Sequence, residues 1–101
     1  MNELKTNERY AIVHVLYQIM NADGIIHPKE EEYMNKVYLK LGININDIEG
    51  VANMNDIQAE NIIRNMSSSQ KEYAQLLFVS MAESDGYVHP LEADIIDKLF
   101  K

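Results

Sequence analysis

The sequence predicts an all-α fold: a pseudo-twofold helical bundle in which two helix–loop–helix repeats are joined by one or two short helices. Val, Ile, Leu and Met recur at helical spacing and not in short alternating runs, and only four Gly and two Pro interrupt the 101 residues. A chain of this length forms one hydrophobic core, so we expect a single domain over residues 1–101.

An internal repeat organises the chain, because the sequence matches itself when it is shifted by 62 residues. Residues 21–32 read NADGIIHPKEEE, and residues 83–94 read ESDGYVHPLEAD. Both copies contain the pattern Asp-Gly-x-x-His-Pro-x-Glu. We call residues 7–41 repeat 1 and residues 68–101 repeat 2. Neither repeat can bury its apolar face alone, so the two are expected to pack on each other about a pseudo-twofold axis.

Each repeat is predicted to form a helix, a short loop and a second helix. In repeat 1 the first helix is expected over Asn7–Ala22, with Thr6 or Asn7 as its N-cap. It is apolar nearly all round, which is typical of a buried central helix. Gly24 is suited to the left-handed conformation that follows a helix. Pro28 is suited to the first position of the second helix, where no backbone N–H is needed.

Repeat 2 and the linker follow the same logic. Ser68 or Ser69 is expected to cap a helix that runs to about Ser84, and Pro90 is expected to open the last helix. Residues 46–66 are predicted to hold one or two linker helices. The better-defined one spans about Asp56–Met66, behind a capping-box pair of Asn and Gln.

Composition and charge narrow the function. Sixteen acidic residues against nine Lys and Arg give a net charge of −7, which disfavours nucleic acid and anionic membranes and favours cations or a basic protein partner. The absence of Cys excludes thiolate chemistry.

The longest apolar block, Tyr10–Met20, is too short to span a bilayer, and the N-terminus lacks the features of a signal peptide. We therefore expect a cytoplasmic protein without membrane insertion. With no nucleophile–base pair and no phosphate-cradling loop, we expect no enzymatic activity.

The loops resemble the second half of the EF-hand calcium fingerprint, with Asp, Gly, an aliphatic residue and Glu at the expected spacing. Asn21 and Glu83 then occupy the third ligand position, where oxygen ligands are expected. The first ligand position holds Ile19 and Met81, which cannot bind calcium. Neither loop is therefore a complete EF-hand.

The functional hypothesis is a composite cation site between the two loops. Its proposed ligands are the carboxylates that occur in both loops, namely Asp23, Glu30, Asp85 and Glu92. Carboxylates that converge repel one another unless they are protonated or bind a cation. Hard oxygen ligands favour Ca²⁺ or Mg²⁺, and His27 and His89 introduce Zn²⁺ or Mn²⁺ as alternatives.

The alternative hypothesis gives the loops a purely structural role. Asp before Gly is common turn chemistry, and Glu30 and Glu92 fall at the third helical position, where a carboxylate caps the helix. His is a weak N-cap, so capping alone does not account for the repeated His. The protein is then a protein-interaction module, and an exposed apolar patch is expected near Tyr87 or on the second helices. The sequence gives neither the partner nor the oligomeric state.

The duplicated pattern of an apolar helix, Asp-Gly-x-Ile/Val-His-Pro-x-Glu and an amphipathic helix resembles the tellurite-resistance TerB-like domain, which also precedes the J-domain in some DnaJ-like membrane proteins. The resemblance covers about residues 7–41 and 68–101. It implies an all-helical, pseudo-symmetric fold with an acidic surface. It also implies divalent-metal binding in stress-response or membrane-associated assemblies. The acidic loop positions of the family fall on Asp23, Glu30, Asp85 and Glu92.

Overall fold

The computed structural model describes residues 4–22, 24, 27–84, 86 and 88–100. Within these residues the chain forms six helices: α1 Thr6–Asn21, α2 Pro28–Leu41, α3 Ile45–Asn53, α4 Asp56–Arg64, α5 Ser68–Ala82 and α6 Pro90–Phe100. The predicted all-α fold is confirmed. None of the helices in the described part of the chain is long and apolar enough to cross a membrane.

Helix α1 is the centre of the core, as its apolar sequence predicts, and it contacts each of the other five helices. It begins slightly earlier than expected, because its N-cap is Lys5 and not Thr6 or Asn7. The backbone N–H of Lys5 donates to Oε1 of Glu8 at 2.8 Å. A carboxylate at the third helical position thus fixes the start of the helix, and the hydroxyl or amide of the predicted caps is not needed.

Helix α5 also begins before the predicted caps. Ser67 is its N-cap, and the Ser67 hydroxyl accepts from the backbone N–H of Gln70 at 3.2 Å. In return, Gln70 Oε1 accepts from the backbone N–H of Ser67 at 2.9 Å. The prediction of Ser68 or Ser69 as the cap was wrong, because this reciprocal pair satisfies two backbone donors one position earlier.

The linker forms the two short helices α3 and α4. Helix α4 begins behind Asn55 and Gln58, as predicted, with the Asn55 backbone N–H donating to Gln58 Oε1 at 3.0 Å. Its buried face consists of Ala59 and Ile63, which lie four residues apart. Ile57, in the first turn of this helix, is 69% exposed.

Polar side chains of α1 hold the linker helices in place. The Tyr10 hydroxyl donates to Oδ1 of Asp47 in α3 at 2.5 Å. His14 lies 3.1 Å from the Val51 carbonyl oxygen through Nδ1 and 2.7 Å from Asp56 Oδ1 through Nε2. The polar positions on this apolar helix are therefore used to bind α3 and α4.

The two repeats share one core. Helices α1 and α2 pack together, as do α5 and α6; between the repeats, α1 contacts α5 and α6, and α5 contacts α2. Gln70 Nε2 donates to Glu8 Oε1 at 3.3 Å, although these residues stand 62 positions apart and occupy equivalent places in the two repeats. Helices of the two repeats therefore pack against each other.

Candidate functional site

The two loops have matching backbone hydrogen bonds. The N–H of Gly24 donates to the Asn21 carbonyl at 3.1 Å, and the N–H of Gly86 donates to the Glu83 carbonyl at 2.9 Å. Both glycines adopt a left-handed backbone conformation, with φ of 75° at Gly24 and 85° at Gly86. The predicted conformation of Gly24 is confirmed, and repeat 2 reproduces it.

The helix that follows each loop begins in the same way. Helices α2 and α6 start at the two prolines of the motif, as predicted. The Glu30 N–H donates to the His27 carbonyl at 3.0 Å, and the Glu92 N–H donates to the His89 carbonyl at 2.9 Å. The described residues of the motif therefore make the same backbone hydrogen bonds in both copies, and a Glu side chain occupies the first turn after each loop.

These two Glu side chains are buried. Glu30 is 0% exposed and Glu92 is 2% exposed, and within the described residues they are the two buried charged side chains. Their acidic neighbours Glu31, Glu32 and Asp94 are exposed. An unbalanced carboxylate in the interior costs several kcal/mol, so burial at both equivalent positions requires a balancing interaction.

The two oxygens of Glu92 have different environments. Oε1 accepts from the backbone N–H of His89 at 3.1 Å, which confirms the predicted capping role. Oε2 is buried and has no hydrogen-bond partner among the described residues. A carboxylate whose only role is to cap the helix can keep its second oxygen in solvent, where water satisfies it.

Capping by itself does not require a charge at this position. Gln58 caps α4 and Gln70 caps α5 with the same contact that Glu92 makes, through a neutral side-chain oxygen. Both Gln side chains are also more accessible than Glu92. The features that set the loop Glu residues apart are therefore charge and burial.

The structure gives one of the two motif histidines, His89, a capping role. His89 Nδ1 accepts from the backbone N–H of Leu91 at 3.1 Å, so His89 does cap α6. The expectation that capping leaves this His unexplained was wrong for repeat 2, because the imidazole nitrogen reaches the second helical N–H. His27 precedes α2 at the equivalent position.

The remaining predicted ligands differ in their surroundings. Asn21 is exposed at the end of α1, and its side-chain amide donates to the Tyr17 carbonyl at 2.9 Å. Glu83 is exposed just after α5. Asp23 and Asp85 lie outside the described residues, as does Tyr87. In the ranges that are described, no three His, Asp or Glu side chains form a group that could hold a metal.

The two buried Glu residues lie on different helices. Helices α2 and α6, which carry Glu30 and Glu92, do not contact each other in the described chain. A composite site needs these side chains and those of Asp23 and Asp85 to converge. Since the two Asp residues fall outside the described ranges, the composite site stays a prediction.

Sequence reasoning did not foresee the burial of Glu30. The run Glu30, Glu31 and Glu32 looks like a solvated helix start, yet its first member points into the core. The repeat held a signal: of these three positions, Glu30 alone is identical in repeat 2, where Ala93 and Asp94 replace the others.

Exposed apolar side chains occur where the interaction hypothesis expects them. Val88 and Leu91 flank the start of α6, with 38% and 47% of their surface exposed. On α2, Leu39 is 85% exposed. These exposed apolar residues favour the alternative hypothesis, in which the protein is a protein-interaction module.

The family model described as "Tellurite resistance protein TerB" matches residues 1–53, which include repeat 1 and α3. No curated protein matches the chain, and neither does any solved structure. The matched segment is just over half of the 101 residues and contains one full copy of the loop motif. The chain belongs to the TerB family of tellurite-resistance proteins.

Proposed function

We propose that the protein is a divalent-cation-binding module of a tellurite-resistance-like stress-response assembly, and that each Asp-Gly-x-x-His-Pro-x-Glu loop binds one ion. The observation that carries this proposal is the pair of buried carboxylates, Glu30 and Glu92, at equivalent positions in the two loops. A bound cation balances a buried carboxylate and removes the penalty of desolvating it. The net charge of −7 further favours cations near the surface.

The donor set fits a hard cation. In repeat 2, Oε2 of Glu92 is the buried oxygen that lacks a partner among the described residues, and it is the proposed first ligand. Asp85 is the proposed second ligand, with Glu30 and Asp23 in the same roles in repeat 1. Oxygen ligands favour Ca²⁺ or Mg²⁺, and the motif residues His27 and His89 keep Zn²⁺ or Mn²⁺ as alternatives.

The proposal includes a pseudo-twofold relation between the repeats, which makes the two loops equivalent sites. Reciprocal packing supports it, since α1 contacts α6 just as α5 contacts α2. The hydrogen bond between Gln70 and Glu8 supports it further, because residues near a twofold axis meet their own equivalents.

Calorimetric titration of the metal-stripped protein with Ca²⁺, Mg²⁺, Mn²⁺ and Zn²⁺ tests the proposal. We expect two ions to bind per chain, one ion per chain in Glu30→Gln or Glu92→Gln, and none in the double variant. Glutamine retains the capping oxygen, so these variants remove the charge and leave the helix start intact. The matched controls are Glu32→Gln and Asp94→Asn, which change exposed acidic residues at equivalent positions.

Stability of the ion-free protein separates the two hypotheses. If the buried carboxylates exist to bind an ion, Glu92→Gln should match or exceed the wild type in free energy of unfolding when a chelator is present. A chain that shows no heat with any ion, or binds equally well in both Gln variants, contradicts the proposal. The exposed Val88 and Leu91 then make a protein-interaction module the better assignment.

A further inference from the structure

A second feature of repeat 1 lies outside the loops. Helices α1 and α2 enclose a groove of about 300 Å³. Its lining residues, which we call the tyrosine groove, are Tyr17, Met20, Glu31, Met34, Asn35 and Tyr38. The volume is at the lower end of the range for small-molecule sites in proteins.

The same groove occurs in repeat 2. A cavity of about 170 Å³ there is lined by Val79, Ala82, Val88, Ala93, Ile96 and Asp97. Adding 62 to positions 17, 20, 31, 34 and 35 of the tyrosine groove gives positions 79, 82, 93, 96 and 97 of this one. The fold therefore builds the groove twice, at equivalent places between the two helices of each repeat.

The two linings differ in chemistry. Tyr17 corresponds to Val79, and Glu31 corresponds to Ala93. Tyr38 corresponds to Phe100, which lacks the hydroxyl. Repeat 2 has its own carboxylate, Asp97, where repeat 1 has Asn35. Because repeat 2 forms the same pair of helices without a phenol and with Ala93 in place of Glu31, the fold does not require the two phenols or a carboxylate at position 31. Their presence calls for a role beyond packing.

We propose that the tyrosine groove binds a small organic cation: an ammonium group on a short alkyl body. Glu31 supplies the negative charge, and no Lys or Arg is among the described residues that line the groove. Aromatic rings attract cations, so Tyr17 and Tyr38 favour the same class of ligand. The polarisable side chains of Met20 and Met34 provide an apolar wall for the alkyl body.

The two phenol oxygens act as hydrogen-bond acceptors. The Tyr17 and Tyr38 hydroxyls are hydrogen-bonded to each other. Burial, with this hydrogen bond second, raises the pKa of Tyr38 far above its ordinary value of 10.0. Both oxygens thus keep lone pairs for an ammonium N–H while the charge resides on Glu31, at the exposed mouth of the groove.

Titration with n-butylammonium, followed by NMR of the methionine methyl groups, tests this inference. A chelator is present throughout, so the loops hold no metal and the result does not depend on the proposed cation sites. We expect saturable shifts for Met20 and Met34, with the other four of the six methionines unchanged. Glu31→Gln should weaken binding by about 10-fold or more, since it removes a charged hydrogen-bond acceptor. Glu32→Gln, an exposed neighbour that does not line the groove, should bind as the wild type does.

Two further measurements keep the inference open to contradiction. The neutral probe n-butanol has the same chain length, and equal affinity for it would identify the groove as merely apolar. Tyr38→Phe copies the residue of repeat 2, so it should fold and bind the ammonium more weakly than the wild type. Wild-type affinity in Glu31→Gln, or no saturable shift at Met20 and Met34, overturns the proposal.

Discussion

The two repeats agree in their loops and differ in their grooves. Gly24 and Gly86 both adopt the left-handed conformation, and the side chains of Glu30 and Glu92 are both buried. Between the helices, by contrast, the tyrosine groove of repeat 1 corresponds to a groove in repeat 2 that has no phenol and is lined by aliphatic side chains and Asp97. An internal repeat thus provides its own control: features present in both copies belong to the fold or to a duplicated site, and features in one copy need a separate explanation.

The strongest test of the shared loop geometry is alanine at each glycine. A Cβ at Gly24 or Gly86 would meet nothing within 4 Å, so the cost comes from the left-handed backbone alone. We expect each substitution to lower the free energy of unfolding by about 1–2 kcal/mol, and by similar amounts. Urea denaturation in the presence of chelator measures this.

The matched controls are Gly24→Asn and Gly86→Asn, because asparagine tolerates the left-handed conformation better than alanine does. These variants should lose less stability than the alanine variants. A large loss at one glycine with none at the other would show that the loops are not equivalent.

A smaller effect should sharpen the difference between the grooves. Since burial raises the pKa of Tyr38 above its ordinary value of 10.0, the folded chain holds this proton more tightly than the unfolded chain does. The resulting stabilisation is fully present below pH 10 and is lost as the pH rises through the folded-state pKa. Tyr38→Phe should therefore flatten the loss of stability at alkaline pH.

The Phe substitution should change stability at neutral pH by no more than about 1 kcal/mol, because it removes one hydrogen bond and Phe100 already fills the equivalent position. Urea denaturation across the alkaline range compares the two proteins. Phe100→Tyr is the converse variant in repeat 2. If Tyr38→Phe and the wild type lose stability equally at alkaline pH, the prediction that burial raises the pKa of Tyr38 is contradicted.

The fold was predictable because the repeat and the helical spacing of apolar residues are properties of the sequence. Proline and glycine fixed the loop boundaries, and α2 begins at Pro28 as predicted. The N-caps were missed by one or two residues, because several polar side chains near Lys5 and Ser67 compete for the same backbone donors. Local pattern does not decide that competition, which depends on the side-chain acceptor at the third helical position.

The candidate site was predictable only in part. The repeated Asp and Glu pointed to the loops, but the burial of Glu30 depends on how α2 packs against the core. The tyrosine groove was missed because its lining comes from two helices, and each helix alone looks like ordinary core packing. Comparing the two repeats position by position is the signal that could have found it.

The central claim, that each loop binds its own cation, is tested most directly by adding Mn²⁺ to the metal-stripped protein and following backbone amide signals by NMR. We predict that the signals of Gly24 and Gly86 broaden first, and that Glu92→Gln protects Gly86 while Gly24 still broadens. Broadening that spreads over the exposed acidic residues Glu31 and Glu32 and spares both glycines would contradict the claim.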